Sequence, residues 1–149
     1  MVAGDSGEGT PEPRLTAALL DTSVIIRYLT GDPKHLAARS ARIIDGEATL
    51  GITDVVVAET AYVLSSVYGV SRRAVVDGVV DLLQRRNLTT FRLDKGAVIQ
   101  GLLLCRSSKR VSFADAMVWA AARSAGAEAV YSFDERFPAG GIVVRRDRP

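Results

Sequence analysis

Four carboxylates in this 149-residue chain occupy positions where they could work together: Asp21, Glu59, Asp115 and Asp134. Each sits at, or one helical turn inside, a point where a short apolar run hands over to a helical stretch. Asp21 closes the run Ala17-Ala18-Leu19-Leu20, and Asp134 lies just past Ala129-Val130-Tyr131. Glu59 has Val55, Val56, Tyr62 and Val63 as same-face helical neighbours. A carboxylate on such a face is expensive to bury unless it is paired, hydrogen-bonded or bound to a metal. Four carboxylates converging without a cation repel and raise one another's pKa. A hard divalent ion, Mg2+ or Mn2+, relieves that repulsion because it prefers oxygen ligands and keeps several waters. The chemistry served is displacement at a phosphodiester, where the ion neutralises phosphate charge and orients and acidifies the attacking water.

Each acid also has an ordinary reading. Ser112-Phe113-Ala114-Asp115 has the S-x-x-D form of a capping box ahead of an apolar run. Asp21 can cap a helix starting near Ser23, Asp134 can be a turn residue, and Glu59 can belong to a buried ion pair or reach the rim of its helix face.

Composition narrows the remaining chemistry. With 48% hydrophobic and 24% charged residues the chain reads as one globular domain. The single cysteine, Cys105, makes no internal disulfide, and His35 and Cys105 together do not build a zinc site, so any metal must be held by carboxylates. His35 reads as a surface residue, and Cys105 and Trp119 as core. There is no G-x-x-x-x-G-K phosphate loop. A receiver domain would need an acidic pair and a strand-end lysine. An aspartate-nucleophile phosphatase would need a second Asp where Ser23 stands.

Residues 1–14, rich in Gly, Glu and Pro, read as a disordered tail without the features of a signal peptide, and residues 15–149 as the folded domain. The longest apolar run, Ala116 to Ala122, is too short to span a membrane, which makes the cytoplasm the expected location. Residues 1–71 hold 5 basic and 9 acidic side chains, and residues 72–149 hold 14 and 8. The basic half offers Arg72, Arg73, Arg85, Arg86, Arg106, Lys109, Arg110 and Arg123 to a polyanion. The stretch Arg106 to Arg110, ahead of Asp115, is favoured, with Arg106, Lys109 and Arg110 as RNA-binding candidates.

The elements that must position these groups alternate. Strands are expected at about 17–20, 48–52, 88–93, 128–131 and 142–144. Helices are expected at about 23–29, 33–44 (Pro33 in the first turn), 54–68, from Ser71 through Leu83, 94–105 and 112–125. This order predicts an α/β fold with a parallel sheet covered on both faces, whose ligand site lies beyond the carboxyl ends of the strands.

Four strings carry a family resemblance: Leu19-Leu20-Asp21-Thr22-Ser23-Val24, Val57-Ala58-Glu59-Thr60, Phe113-Ala114-Asp115-Ala116 and Tyr131-Ser132-Phe133-Asp134-Glu135-Arg136-Phe137. In order and spacing, from residue 18 to about 144, they resemble the motifs of PIN-domain nucleases. The compact size and Arg27-Tyr28-Leu29-Thr30-Gly31-Asp32-Pro33 resemble the VapC ribonuclease toxins of bacterial toxin–antitoxin pairs. The resemblance implies a three-layer α/β/α sandwich with a central, mostly parallel sheet. It implies an acidic quartet, Asp21, Glu59, Asp115 and Asp134, that binds Mg2+ or Mn2+ for RNA cleavage. Asp21 and Asp115 would be the most direct ligands, with Glu59 and Asp134 completing the site through water. Ser23 and Ser132 would orient carboxylates or bind phosphate; Ser132 stands where Thr is commoner, and Glu135 is an alternative fourth acid. The resemblance also implies a homodimer and a cognate antitoxin whose C-terminal segment enters the active-site groove. Two other readings are a PIN-fold RNA- or protein-binding module without catalysis, against which the complete quartet speaks, and a housekeeping RNA-processing nuclease.

Overall fold

Side chains that accept hydrogen bonds at helix starts set the frame of this chain. A computed structural model describes residues 16–148, and the expected tail lies outside the described residues. The order is β1 (Ala18–Leu19), α1 (Thr22–Thr30), α2 (Lys34–Ile44), β2 (Leu50–Ile52), α3 (Asp54–Ser66), α4 (Arg72–Leu83), β3 (Leu88–Thr90), α5 (Lys95–Arg106), α6 (Phe113–Ala125), β4 (Ala129–Tyr131) and β5 (Val143–Arg145). Thr53, Ser71, Asp94 and Ser112 accept from the backbone N–H of Val56, Ala74, Ala97 and Asp115 at 2.8–3.2 Å, which satisfies donors that no intrahelical carbonyl reaches. Gly31 and Gly126, at φ 71° and 66°, end α1 and α6 in the left-handed conformation that glycine adopts without strain.

All strand pairings among the described residues are parallel. β2 lies between β1 and β3, with Ala18 opposite Leu50 and Leu50 opposite Leu88, while β4 pairs with β5 as a separate two-stranded sheet. The expected mixed α/β architecture with parallel strands is present. Alternation along the strands turns Leu50, Ile52 and Leu88 into the core, where they meet Ile25, Ile44, Val57, Val76 and Leu102. Gly51 and Leu19 share the other face, and Leu19 is 51% exposed there.

Three boundaries differ from expectation. Pro33 precedes α2 as its N-cap residue rather than lying in the first turn. The third strand stops at Thr90 because the Thr90 hydroxyl donates to the Leu93 carbonyl at 2.7 Å and Arg92 turns to φ 58°. The helix expected to reach Tyr68 ends at Ser66, where the chain bends through Gly69 at φ 65°. Cys105 and Trp119 are buried as read, and the Trp119 indole N–H donates to the Gly140 carbonyl at 2.9 Å.

The contact that fixes α6 is its crossing with α5. At Gly101 an added Cβ would stand 2.9 Å from the Ala116 carbonyl oxygen, so the two backbones touch where only glycine fits. Gly78, inside α4, has no atom within 4 Å of an added Cβ. Gly101→Val is therefore expected to destabilise the fold by about 1–3 kcal/mol, and Gly78→Ala to stabilise it by about 0.5–1 kcal/mol. Urea unfolding midpoints of the two variants test this pair, and a Gly101→Val midpoint at or above that of the parent contradicts the close crossing.

Candidate functional site

The first corner of the site is built where β1 feeds α1. Asp21 is the N-cap residue of α1, and its Oδ2 accepts from the Ser23 backbone N–H at 3.1 Å and from the Ser23 hydroxyl at 2.7 Å. Those bonds hold the Asp21 carboxyl below the usual carboxylate range. The next residue, Thr22, is buried and donates its hydroxyl to Glu59 Oε2 at 3.1 Å. The first two sequence motifs are thus joined by a side-chain hydrogen bond between α1 and α3.

Glu59 itself is exposed, so of its two ordinary readings the carboxylate that reaches the rim is the one found, not the buried ion pair. The core side of α3 carries Val57, Ala61 and Leu64, and the side that holds Glu59 shows Val55 (68% exposed) and Tyr62 (64%) to solvent. Glu59 stands on the rim of a groove of about 450 Å³. Ala58 and Tyr62 line it beside Glu59, and Ser112, Phe113 and Ala114 at the start of α6 line it opposite. Arg72 also lines the groove, donating to the Cys105 carbonyl at 2.5 Å and to the Val111 carbonyl, with its guanidinium 4.5 Å from the Phe113 ring centre.

The second corner brings Asp115 and Asp134 together. Ser112 caps α6 by accepting from the Asp115 N–H at 3.0 Å, as the capping box implied. Asp134 lies in the turn after β4, donates its N–H to Ser132 Oγ at 3.1 Å, and accepts on Oδ1 from the Arg136 N–H at 2.8 Å and from Arg136 Nε at 3.5 Å. Burial pushes the Asp115 carboxyl up, and the adjacent Asp134 reinforces the shift. Asp134 is held below its ordinary value, chiefly by the Arg136 backbone N–H. Burial thus disfavours the charge on Asp115, the more buried member, while Arg136 favours it on Asp134. Glu135 is exposed and takes no part in these hydrogen bonds.

The four acids thus form two pairs, Asp21 with Glu59 through Thr22, and Asp115 with Asp134. Among the described residues no three His, Cys, Asp or Glu side chains stand close enough to share one ion. The donors on offer are carboxylate and hydroxyl oxygens, which suit hard divalent cations, and the Asp115–Asp134 contact is a repulsion that a cation relieves.

The basic residues divide sharply. Arg106 is the last residue of α5 rather than part of a free connection, and its Nε and Nη2 clasp the Asp77 carboxylate at 2.7 and 3.0 Å. Arg85 is held by Asp45 and Tyr28, and Arg123 stacks near the Trp119 ring and donates to the Gly141 carbonyl. Lys109 and Arg110 are exposed just ahead of α6. Sequence reasoning missed Thr22 and Arg136. The position of Arg136 two residues after Asp134 was a readable signal, because aspartates accept from the backbone two residues on in tight turns.

A family model described as PIN domain matches residues 18–141. The chain belongs to the PIN domain family. The span takes in all four acids and both site serines. Searches of curated proteins and of solved structures returned no match. PIN domains are typically metal-dependent nucleases, and the family points to RNA as substrate. Among the described residues no helix is long and apolar enough to cross a membrane.

A raised carboxyl in the fold works against folding once the unfolded chain has released its proton. The penalty is absent below the ordinary carboxylate value and grows as pH rises through the raised one. In a chelator at neutral pH, Asp115→Asn of this PIN domain is expected to melt above the parent, and the advantage should vanish below about pH 4. Paired thermal melts across that range check the sign; a variant less stable at pH 7 would mean that Asp115 is not under like-charge stress.

Proposed function

We propose that this PIN domain is a Mg2+- or Mn2+-dependent endoribonuclease and the toxin of a VapC-type toxin–antitoxin pair. The observation that carries this reading is the contact between Asp115 and Asp134, two carboxyls held side by side by the first turn of α6 and the turn after β4. Asp21, Glu59, Asp115 and Asp134 would hold the cation, which supplies neutralisation of the phosphate charge and an acidified water when bound. The chain's own residues do the positioning. Ser23 fixes the Asp21 carboxylate, Thr22 steers Glu59 toward the same corner, Ser132 and Arg136 fix Asp134, and Ser112 sets the first turn of α6. Lys109 and Arg110 meet the RNA backbone, which gives affinity without sequence information. The partly apolar groove between Tyr62 and Phe113, with Arg72 along it, receives the C-terminal segment of a cognate antitoxin. The active form is a homodimer in the cytoplasm.

Cleavage of RNA by the purified protein is expected only with added Mg2+ or Mn2+, and Asp21→Asn is expected to lower the rate by about a hundredfold or more. Equal cleavage by Asp21→Asn would assign the activity to a contaminant and remove the site. Expression of the parent in a bacterial host should arrest growth while Asp21→Asn does not; growth under both would remove the toxin assignment and leave the nuclease. Replacing Lys109 and Arg110 by Ala should flatten the salt dependence of RNA affinity by about 0.7 in log–log slope for each phosphate that the protein no longer neutralises. An unchanged slope would take both residues out of the footprint.

A further inference from the structure

A cleft of about 260 Å³ opens between α1 and α2. Ser23 belongs both to its wall and to the acidic corner, since the same hydroxyl donates to Asp21 Oδ2 at 2.7 Å. Two arginines line the cleft, Arg27 from α1 and Arg39 from α2, and no carboxylate does. Arg27 is held in place, its Nη1 donating to the Asp32 carbonyl and to the Tyr68 hydroxyl, each at 3.2 Å. A guanidinium carries five N–H donors, so this fixed cation keeps donors to spare. Arg39 is exposed and forms no salt bridge among the described residues, unlike Arg85 and Arg106. Ser40, also in the wall, is only 4% exposed, and among the described residues its hydroxyl has no hydrogen-bond partner. A buried hydroxyl without a partner is costly, and an oxygen of a ligand in the cleft relieves that cost. The remaining wall is aliphatic, with Val24 and Ile43 facing each other from the two helices.

Two cations, an open hydroxyl and an aliphatic wall fit a nucleoside with its phosphate, the sugar and base against the valine and isoleucine and the oxygens on the arginines. We infer that the α1–α2 cleft is the subsite for the nucleotide flanking the cleaved bond, with Arg39 and Arg27 on its phosphate. Continuity with the Asp21 corner through Ser23 and the net positive charge of the lining favour RNA there. Among the lining residues there is no carboxylate or amide side chain to read a base edge, so the subsite gives grip rather than sequence choice. The inference rests on the ribonuclease reading and deepens it: the substrate is gripped beyond the phosphate at which it is cut.

Arg39 is exposed and unpaired, so Arg39→Ala and Arg39→Lys keep the fold intact. On an oligoadenylate, Arg39→Ala is expected to raise KM about tenfold with kcat within about twofold, and Arg39→Lys to recover most of the loss. A measurement independent of cleavage titrates adenosine monophosphate into the protein in EDTA. The amide signals of Ser23, Arg39, Ser40 and Ile43 should shift in the parent, and Arg39→Ala should weaken the binding by about tenfold. Unchanged KM in Arg39→Ala overturns the subsite, as do amide shifts confined to other parts of the chain, and this includes the case in which the cleft takes an acidic peptide. A fall in kcat at unchanged KM also overturns it, since Arg39 would then belong to the chemistry. Failure of the ribonuclease reading is a different result, in which the parent cleaves no RNA with either metal while the titration in EDTA still scores the cleft.

Discussion

Two carboxyl groups do not settle beside each other unless the backbone on both sides holds them there. The Asp115–Asp134 contact is therefore the constraint that the rest of this fold answers to. On one side, the first turn of α6 is fixed by its Ser112 cap and by the Gly101–Ala116 crossing with α5. On the other, the turn after β4 is fixed by Ser132 and Arg136, and the chain beyond it is tied back to α6 by the Trp119–Gly140 hydrogen bond. The same helix thus carries one acid and anchors the segment that carries the other. Packing free energy gathered elsewhere in the fold is what keeps the two carboxyls together.

Much of this was legible in the sequence because it is local. The caps at Asp21, Ser71, Asp94 and Ser112 follow from residue type and distance to the next apolar run, and each accepts from its own helix, whereas the choice of Thr53 over Asp54 at α3 came only with the fold. The four acids were legible because each sits at a strand-to-helix transition or one turn inside a helix. Whether Glu59 is buried in an ion pair or reaches the rim was not decided by the sequence. Helix α3 has valine at 55, 56, 57 and 63, so its apolar residues run nearly all round, and only the packed fold decides which side turns inward.

The arginines show the same limit from the charge side. Arg106 meets Asp77 across 29 residues and Arg85 meets Asp45 across 40, so counting basic residues in the second half overstated what is free for a polyanion. Charge composition reports how many cations there are, and three-dimensional pairing decides which remain for a ligand. Thr22 is an instructive miss: it stood inside the first motif string, but its buried hydroxyl acquires meaning only when α3 brings Glu59 alongside.

Asp21 carries two duties with a division of labour inside one side chain. Both hydrogen bonds from Ser23 land on Oδ2, which leaves Oδ1 outside the helix cap. Asparagine serves as well as aspartate at a helix start, so the folding duty asks only for an oxygen in that place, while the second duty asks for the negative charge. The two demands are separable atom by atom, and a ligand can come and go at this corner without unwinding the helix that presents it.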